Sequence, residues 1–90
     1  MAASESDLAW ELASAVESVL TAADRSLIFA KIGAGEAFTA IGDLLVAAQH
    51  LGANLPQDLL LKASTWLDAY VGSDDEARLR ALLGRLGAVE

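Results

Sequence analysis

Hydrophobic residues recur along most of this chain at steps of three and four positions, which is the spacing of one face of an α-helix. No stretch alternates polar and apolar residues over the length of a strand, so we predict no sheet. The pattern predicts an all-α fold, a small compact bundle of four to five short helices. We expect a single helical domain over residues 6–90, preceded by a flexible tail at residues 1–5.

The centre of the predicted bundle is a helical hairpin over about residues 36–71. Its helices are expected over about residues 36–51 and 56–71, because Gly52 favours a helix end and Pro56 suits the first turn of a new helix. The predicted apolar stripes of these two helices are Ala37, Phe38, Ile41, Leu44, Leu45, Ala48 and Leu51, and Leu59, Leu60, Ala63, Trp66, Leu67, Tyr70 and Val71.

The flanking segments supply the remaining helices. The apolar pattern changes phase near Ala22, where Thr21 and Asp24 have capping-box spacing, so we expect a break there rather than one long helix buried on both sides. Residues 73–76 have the same pattern and are expected to open a last helix that ends near Leu86. The predicted stripes of the first and last helices are Leu8, Leu12, Ala15, Val16 and Val19, and Leu79, Leu82, Leu83 and Leu86.

The net charge and the apolar content indicate which kinds of partner are favourable. The 90 residues carry a net charge of −7, which repels phosphates, so nucleic acid and anionic membranes are unfavourable partners. Hydrophobic residues make up 54% of the chain, more than a domain of this size readily buries, and self-association as a homodimer is therefore one expectation.

Composition and the absence of certain sequence patterns are the only indications of the cellular compartment and of the kind of organism. The chain has no cysteine, which excludes disulfides and thiolate ligands and fits a reducing compartment. The N-terminal residues show no secretory pattern, and no uncharged stretch is long enough to span a bilayer. We expect a cytoplasmic protein, and its Ala/Leu/Arg-rich, Lys-poor composition is typical of GC-rich bacterial genomes.

An enzyme or small-ligand site would have to be built around very few residues. His50 lies about 10.5 Å along the helix from Asp43, too far to share one ion or proton, so a catalytic centre needs a carboxylate from another helix. Trp66 and Tyr70 could line a pocket, although core packing is the commoner role of such a pair. We expect no enzyme activity and no catalytic, cofactor or metal site.

The favoured interpretation is a non-enzymatic helical module for protein–protein interaction. Trp10, Val46 and Leu61 lie off the apolar stripes of their helices and form a candidate contact patch. The alternative for Trp10 is a first helix that is buried on both sides. We recognise no family signature in the chain.

A second functional class is a helix-turn-helix-like nucleic-acid-binding domain. Its candidate contacts are Arg78, Arg80 and Arg85 on the last predicted helix. However, Asp74 and Glu76 precede two of these arginines by four positions, so ion pairs within the helix explain them without a ligand. The acidic net charge also makes this alternative the weaker one.

Overall fold

The computed structural model describes residues 5–87 and shows five α-helices and no strand in that range, which confirms the predicted all-α bundle. Within the same range, no helix has the length and apolar character needed to cross a membrane. The helices are α1 (Glu5–Val16), α2 (Ala22–Gly33), α3 (Ala37–Leu51), α4 (Gln57–Asp68) and α5 (Glu76–Gly87), with a 3₁₀ turn at Glu17–Val19.

The predicted break between the first two helices is confirmed. Thr21 is the N-cap of α2, and its Oγ1 accepts a hydrogen bond from the backbone N–H of Asp24 at 3.0 Å. The 3₁₀ turn ahead of it shifts the helical phase, so Val19 is 42% exposed instead of continuing the apolar face of α1. Val19 therefore leaves the stripe that the sequence predicted.

Helix α3 lies at the centre of the bundle. It packs against α1, α2 and α5, and its inner face is buried along most of its length. Gly52 ends the helix in the left-handed conformation (φ 69°), and Leu51 beside it is exposed rather than part of the core. Between α3 and α4, the two helices of the predicted hairpin, the ring of Phe38 packs against Trp66 and Tyr70.

Helix α4 is shorter than predicted. It ends at Asp68, and turns continue to Gly72, which has a φ of 94°. Val71 is 71% exposed because it lies beyond the last helical turn, so its predicted place in the apolar stripe is wrong. The main backbone neighbours of α4 are α5 and α1 rather than α3.

The predicted capping box at the start of the last helix does not form. The N–H of Glu76 donates to the backbone carbonyl of Ser73 at 3.3 Å, and the N–H of Ser73 donates to the carbonyl of Tyr70 at 2.9 Å. In a capping box these two backbone N–H groups would donate to side chains, but here both donate to backbone carbonyls. The apolar stripe of α5 is confirmed, with Leu79, Leu82, Leu83 and Leu86 buried.

The first helix begins one residue earlier than predicted. Glu5 belongs to α1, whereas the sequence placed it in the tail. Residues 1–4 of that tail and residues 88–90 of the predicted domain lie outside the described residues.

Candidate interaction site

Helices α1 and α4 pair in an antiparallel manner, and polar contacts fix their register. The carboxylate of Glu5, at the start of α1, accepts hydrogen bonds from Trp66 Nε1 at 2.7 Å and from the hydroxyl of Tyr70. Further along, Lys62 Nζ donates to Glu11 Oε1 at 2.8 Å. The early part of α1 thus faces the end of α4, and the later part of α1 faces the start of α4.

A groove lies where α1 meets the start of α4. It has a volume of about 450 Å³ and is open to solvent along one side. The groove is defined by its lining residues, which are Trp10, Glu11, Ser14, Ala15, Pro56, Asp58 and Leu59. We call it the α1–α4 groove.

Trp10 forms an apolar wall of the α1–α4 groove. Its side chain is 43% exposed, which agrees with its predicted position outside the apolar stripe of α1. Its ring packs on Phe29 of α2 with centroids 5.2 Å apart, and this contact restrains the orientation of the indole. An exposed indole that is held in place loses little conformational entropy when a partner covers it.

The charged residues that line the groove are acids. Glu11 is engaged by Lys62, and this hydrogen bond is the main cause that raises the pKa of Lys62 above its ordinary value. The carboxylate of Asp58 makes no hydrogen bond or ion pair within residues 5–87, and it acts on Lys62 only through longer-range attraction. The groove therefore keeps a carboxylate whose charge is not neutralised by direct contact.

The structure separates the other two residues of the predicted contact patch from this groove. Leu61 is 60% exposed and follows Asp58 by three positions, so it lies one helical turn beyond the groove on the same side of α4. Val46 is 43% exposed on α3. It follows Asp43 by three positions, and Asp43 is paired with Lys31 of α2, so Val46 lies on the α2 side of α3.

The aromatic pair Trp66 and Tyr70 packs with Phe38 in one cluster. The ring centroids lie 4.7 Å apart for Phe38 and Tyr70, and 5.3 Å apart for each of the other two pairs. The hydrogen bond to Glu5 is the largest cause that raises the pKa of Tyr70, followed by partial burial. The polar ends of both rings are thus held by a carboxylate of the protein itself.

His50 lies in the last turn of α3 and is exposed. Asp43, the carboxylate that the sequence placed on the same face, is paired with Lys31 instead. Within residues 5–87, no three His, Cys, Asp or Glu side chains come together in a way that could hold a metal ion.

The three candidate arginines of α5 lie in different environments. Arg80 Nε donates to Glu76 at 3.0 Å, while its terminal nitrogens contact Asp68 at 3.1 Å and the hydroxyl of Ser64 at 3.0 Å. The hydrogen bonds to Glu76 and then Asp68 raise the pKa of Arg80. The predicted Glu76–Arg80 pair is therefore confirmed, and Arg80 also joins α5 to α4.

The other two arginines are less constrained. Arg78 contacts Asp75 at 3.2 Å, three positions earlier, instead of the predicted partner Asp74. Arg85 is exposed and has no ion pair within the part of the chain that the structure describes. Only Arg80 among the three is bound into contacts between helices.

Sequence reasoning missed Glu5 and the apolar residues contributed by the start of α4. The sequence around Glu5 does not reveal its role, because its partners, Trp66 and Tyr70, lie far along the chain. The position of Pro56 in the sequence predicts only a helix start, yet Pro56 also lines the groove with Leu59. The one signal in the sequence is the position of Trp10 outside its stripe, which is compatible with an exposed contact residue and also with a first helix buried on both sides.

In comparisons with known proteins, no family model, no curated protein and no solved structure matches this chain. The functional proposal therefore rests on the geometry and charge of the chain's own residues.

Proposed function

We propose that this protein is a non-enzymatic protein–protein interaction module whose contact surface is centred on Trp10. The observation that carries the proposal is the exposed indole of Trp10, held by Phe29 at the wall of the α1–α4 groove. Tryptophan is enriched among the residues that contribute most of the binding energy of interfaces, particularly beside a pocket. Leu61, one turn further along α4, is a second exposed apolar side chain.

The chemistry of the remaining polar residues supports an interaction role over catalysis. Lys31 and Lys62 are paired with Asp43 and Glu11. The carboxylate of Glu5 is engaged by two aromatic side chains. These groups join helices to one another, and joining helices is sufficient to explain their positions.

The nucleic-acid alternative has less support. Arg80 is held by two carboxylates, so a phosphate would have to displace contacts that already exist. Arg78 and Arg85 are both exposed, but Arg78 contacts Asp75, and two surface cations add little to the affinity of a chain with a net charge of −7.

We include a cytoplasmic location in the proposal, and a homodimer is the outcome that the crosslinking test below separates from another partner. The apolar surface around Trp10 can be covered by a second copy or by another protein, and the proposal requires one of them. The cytoplasmic location is supported by the cysteine-free composition, which suits a reducing compartment.

Photo-crosslinking in the cells that express the protein tests this proposal. A benzophenone amino acid replaces Trp10 in one variant and Val71, which is exposed beyond the end of α4, in the control. We expect a defined protein adduct from position 10 and none from position 71. An adduct of twice the chain's mass identifies a homodimer, and mass spectrometry identifies any other partner.

The purified partner is then titrated by calorimetry with the wild-type protein and with Trp10→Ala. We expect the substitution to weaken binding by about tenfold or more, as for truncation of an interface anchor. Equal adducts at positions 10 and 71, or affinity that Trp10→Ala leaves unchanged, would remove Trp10 from the contact surface.

A further inference from the structure

We infer that the α1–α4 groove binds a positively charged amphipathic helix of another protein, rather than a second copy of this chain. The inference rests on the proposed interaction function and adds the chemistry of the partner.

The floor and walls of the groove require an apolar occupant. Trp10, Ala15, Pro56 and Leu59 contribute its apolar surface. A volume of about 450 Å³ is within the usual range of binding pockets, roughly 300–1,000 Å³, and it accommodates apolar side chains from a neighbouring segment. The occupant therefore presents apolar residues along one face.

The charge of the groove selects a basic occupant. Glu11 and Asp58 are the charged residues that line it, and no base does. Lys62 lies nearby, but its ammonium group is occupied by Glu11, which leaves Asp58 free to pair with a Lys or Arg of the partner. A second copy would bring the same carboxylates and a further net charge of −7, so like charges would oppose its docking.

The groove is formed between packed helices, which favours a helical occupant. Side chains along two neighbouring helices form ridges and grooves that the ridge of a third helix can enter. The residues described here contain no strand whose edge an extended peptide could join. We therefore expect apolar residues at steps of three and four in the partner, bordered by Lys or Arg that reach Asp58.

Fluorescence anisotropy with synthetic peptides tests this chemistry. The probe is a labelled amphipathic peptide of Leu and Lys at helical spacing, and the matched control peptide carries Glu in place of every Lys. We expect the Leu/Lys peptide to bind in a salt-sensitive manner and the Leu/Glu peptide not to bind.

Matched variants locate the binding. Asp58→Asn is compared with Asp74→Asn, because Asp58 lies in the first turn of α4 and Asp74 lies beyond its other end, which is about 15 Å along the helix from Asp58. Trp10→Ala is compared with Val71→Ala in the same way. We expect the groove variants to weaken binding of the Leu/Lys peptide by about three- to tenfold and the controls by less than about twofold.

The outcomes separate the two proposals. Equal effects of Asp58→Asn and Asp74→Asn, equal binding of both peptides, or no binding of the Leu/Lys peptide would overturn the basic-helix inference. If crosslinking from position 10 still captures a partner in those cases, the interaction function stands and only the partner chemistry is wrong. If crosslinking from position 10 also fails, the proposed function fails with it.

Discussion

Glu5 accepts a hydrogen bond from the indole N–H of Trp66, which lies 61 positions later in the chain, at a distance of 2.7 Å between Oε2 and Nε1. The same carboxylate oxygen accepts a hydrogen bond from the hydroxyl of Tyr70. The Glu5 side chain thus joins the start of α1 to the end of α4. This contact lies at one end of the helix pair, and the α1–α4 groove lies at the other. This contact and the Glu11–Lys62 pair hold the two helices that form the groove.

Glu5→Ala should lower the free energy of unfolding by about 1–2 kcal/mol, because it leaves two partly buried donors without their charged acceptor. Urea denaturation followed by circular dichroism measures the change. Glu17→Ala is the matched control, because Glu17 is exposed and the only described partner of its side chain, Arg25, is 4.0 Å away; it should change stability by less than about 0.5 kcal/mol. Equal effects of the two substitutions would show that the Glu5 contacts contribute no net stability.

The ionisation of Tyr70 should report the same contact. Its pKa is raised above the ordinary value of 10.0, so the protonated hydroxyl is favoured in the folded state. The resulting stabilisation is fully present below about pH 10 and is lost as pH rises through the folded-state pKa. Tyr70 is the only tyrosine, so ultraviolet titration of the phenol follows it alone.

We expect the titration midpoint to lie above 10.0 in the wild-type protein and to fall towards 10.0 in Glu5→Ala, since the hydrogen bond to Glu5 is the largest cause of the shift. A midpoint that is the same in both proteins would contradict this assignment.

Two arginines of α5 should differ in their effect on stability. Arg80→Met should lower the urea midpoint, because Arg80 joins Glu76 of its own helix to Asp68 and Ser64 of α4. Arg85→Met should leave the midpoint almost unchanged, because Arg85 is exposed and has no described ion pair. If the protein instead binds duplex DNA at low salt, and Arg85→Met weakens that binding, the result would favour the nucleic-acid alternative.

Two glycines should respond in opposite directions to alanine. Gly84 lies in α5, and a Cβ at this position would meet no atom within 4 Å, so Gly84→Ala should stabilise the protein by about 0.5–1 kcal/mol. Gly52 has a φ of 69°, so Gly52→Ala should destabilise it by about 1 kcal/mol or more. Urea denaturation of both variants checks the prediction, and a stabilising Gly52→Ala would contradict the left-handed end of α3.

Local patterns predicted most of the fold. The apolar phase shift and the Thr21 cap located the break before α2, and Gly52 located the end of α3. Residues near the helix ends were less predictable, because turn geometry decides them. Val19 and Val71 continue an apolar pattern in sequence, but the 3₁₀ turn and the early end of α4 expose them.

Tertiary contacts were the least accessible from sequence. Asp58 and Lys62 are four positions apart, the spacing that favours a pair within one helix, but Glu11 of α1 takes the ammonium group of Lys62. The position of Trp10 outside its stripe indicated an outward-facing side chain, yet the groove beside it also needs Pro56 and Leu59. Such a site depends on how two distant segments pack, which local spacing does not encode.

The indole signals of the two tryptophans test the central claim most directly. Nuclear magnetic resonance resolves the N–H group of each indole, and Trp10→Phe assigns the pair. On titration with the Leu/Lys peptide, we predict that the Trp10 signal shifts while that of Trp66, held by Glu5 outside the groove, stays in place. Binding that shifts Trp66 more than Trp10, or that moves neither signal, would contradict a contact surface centred on Trp10.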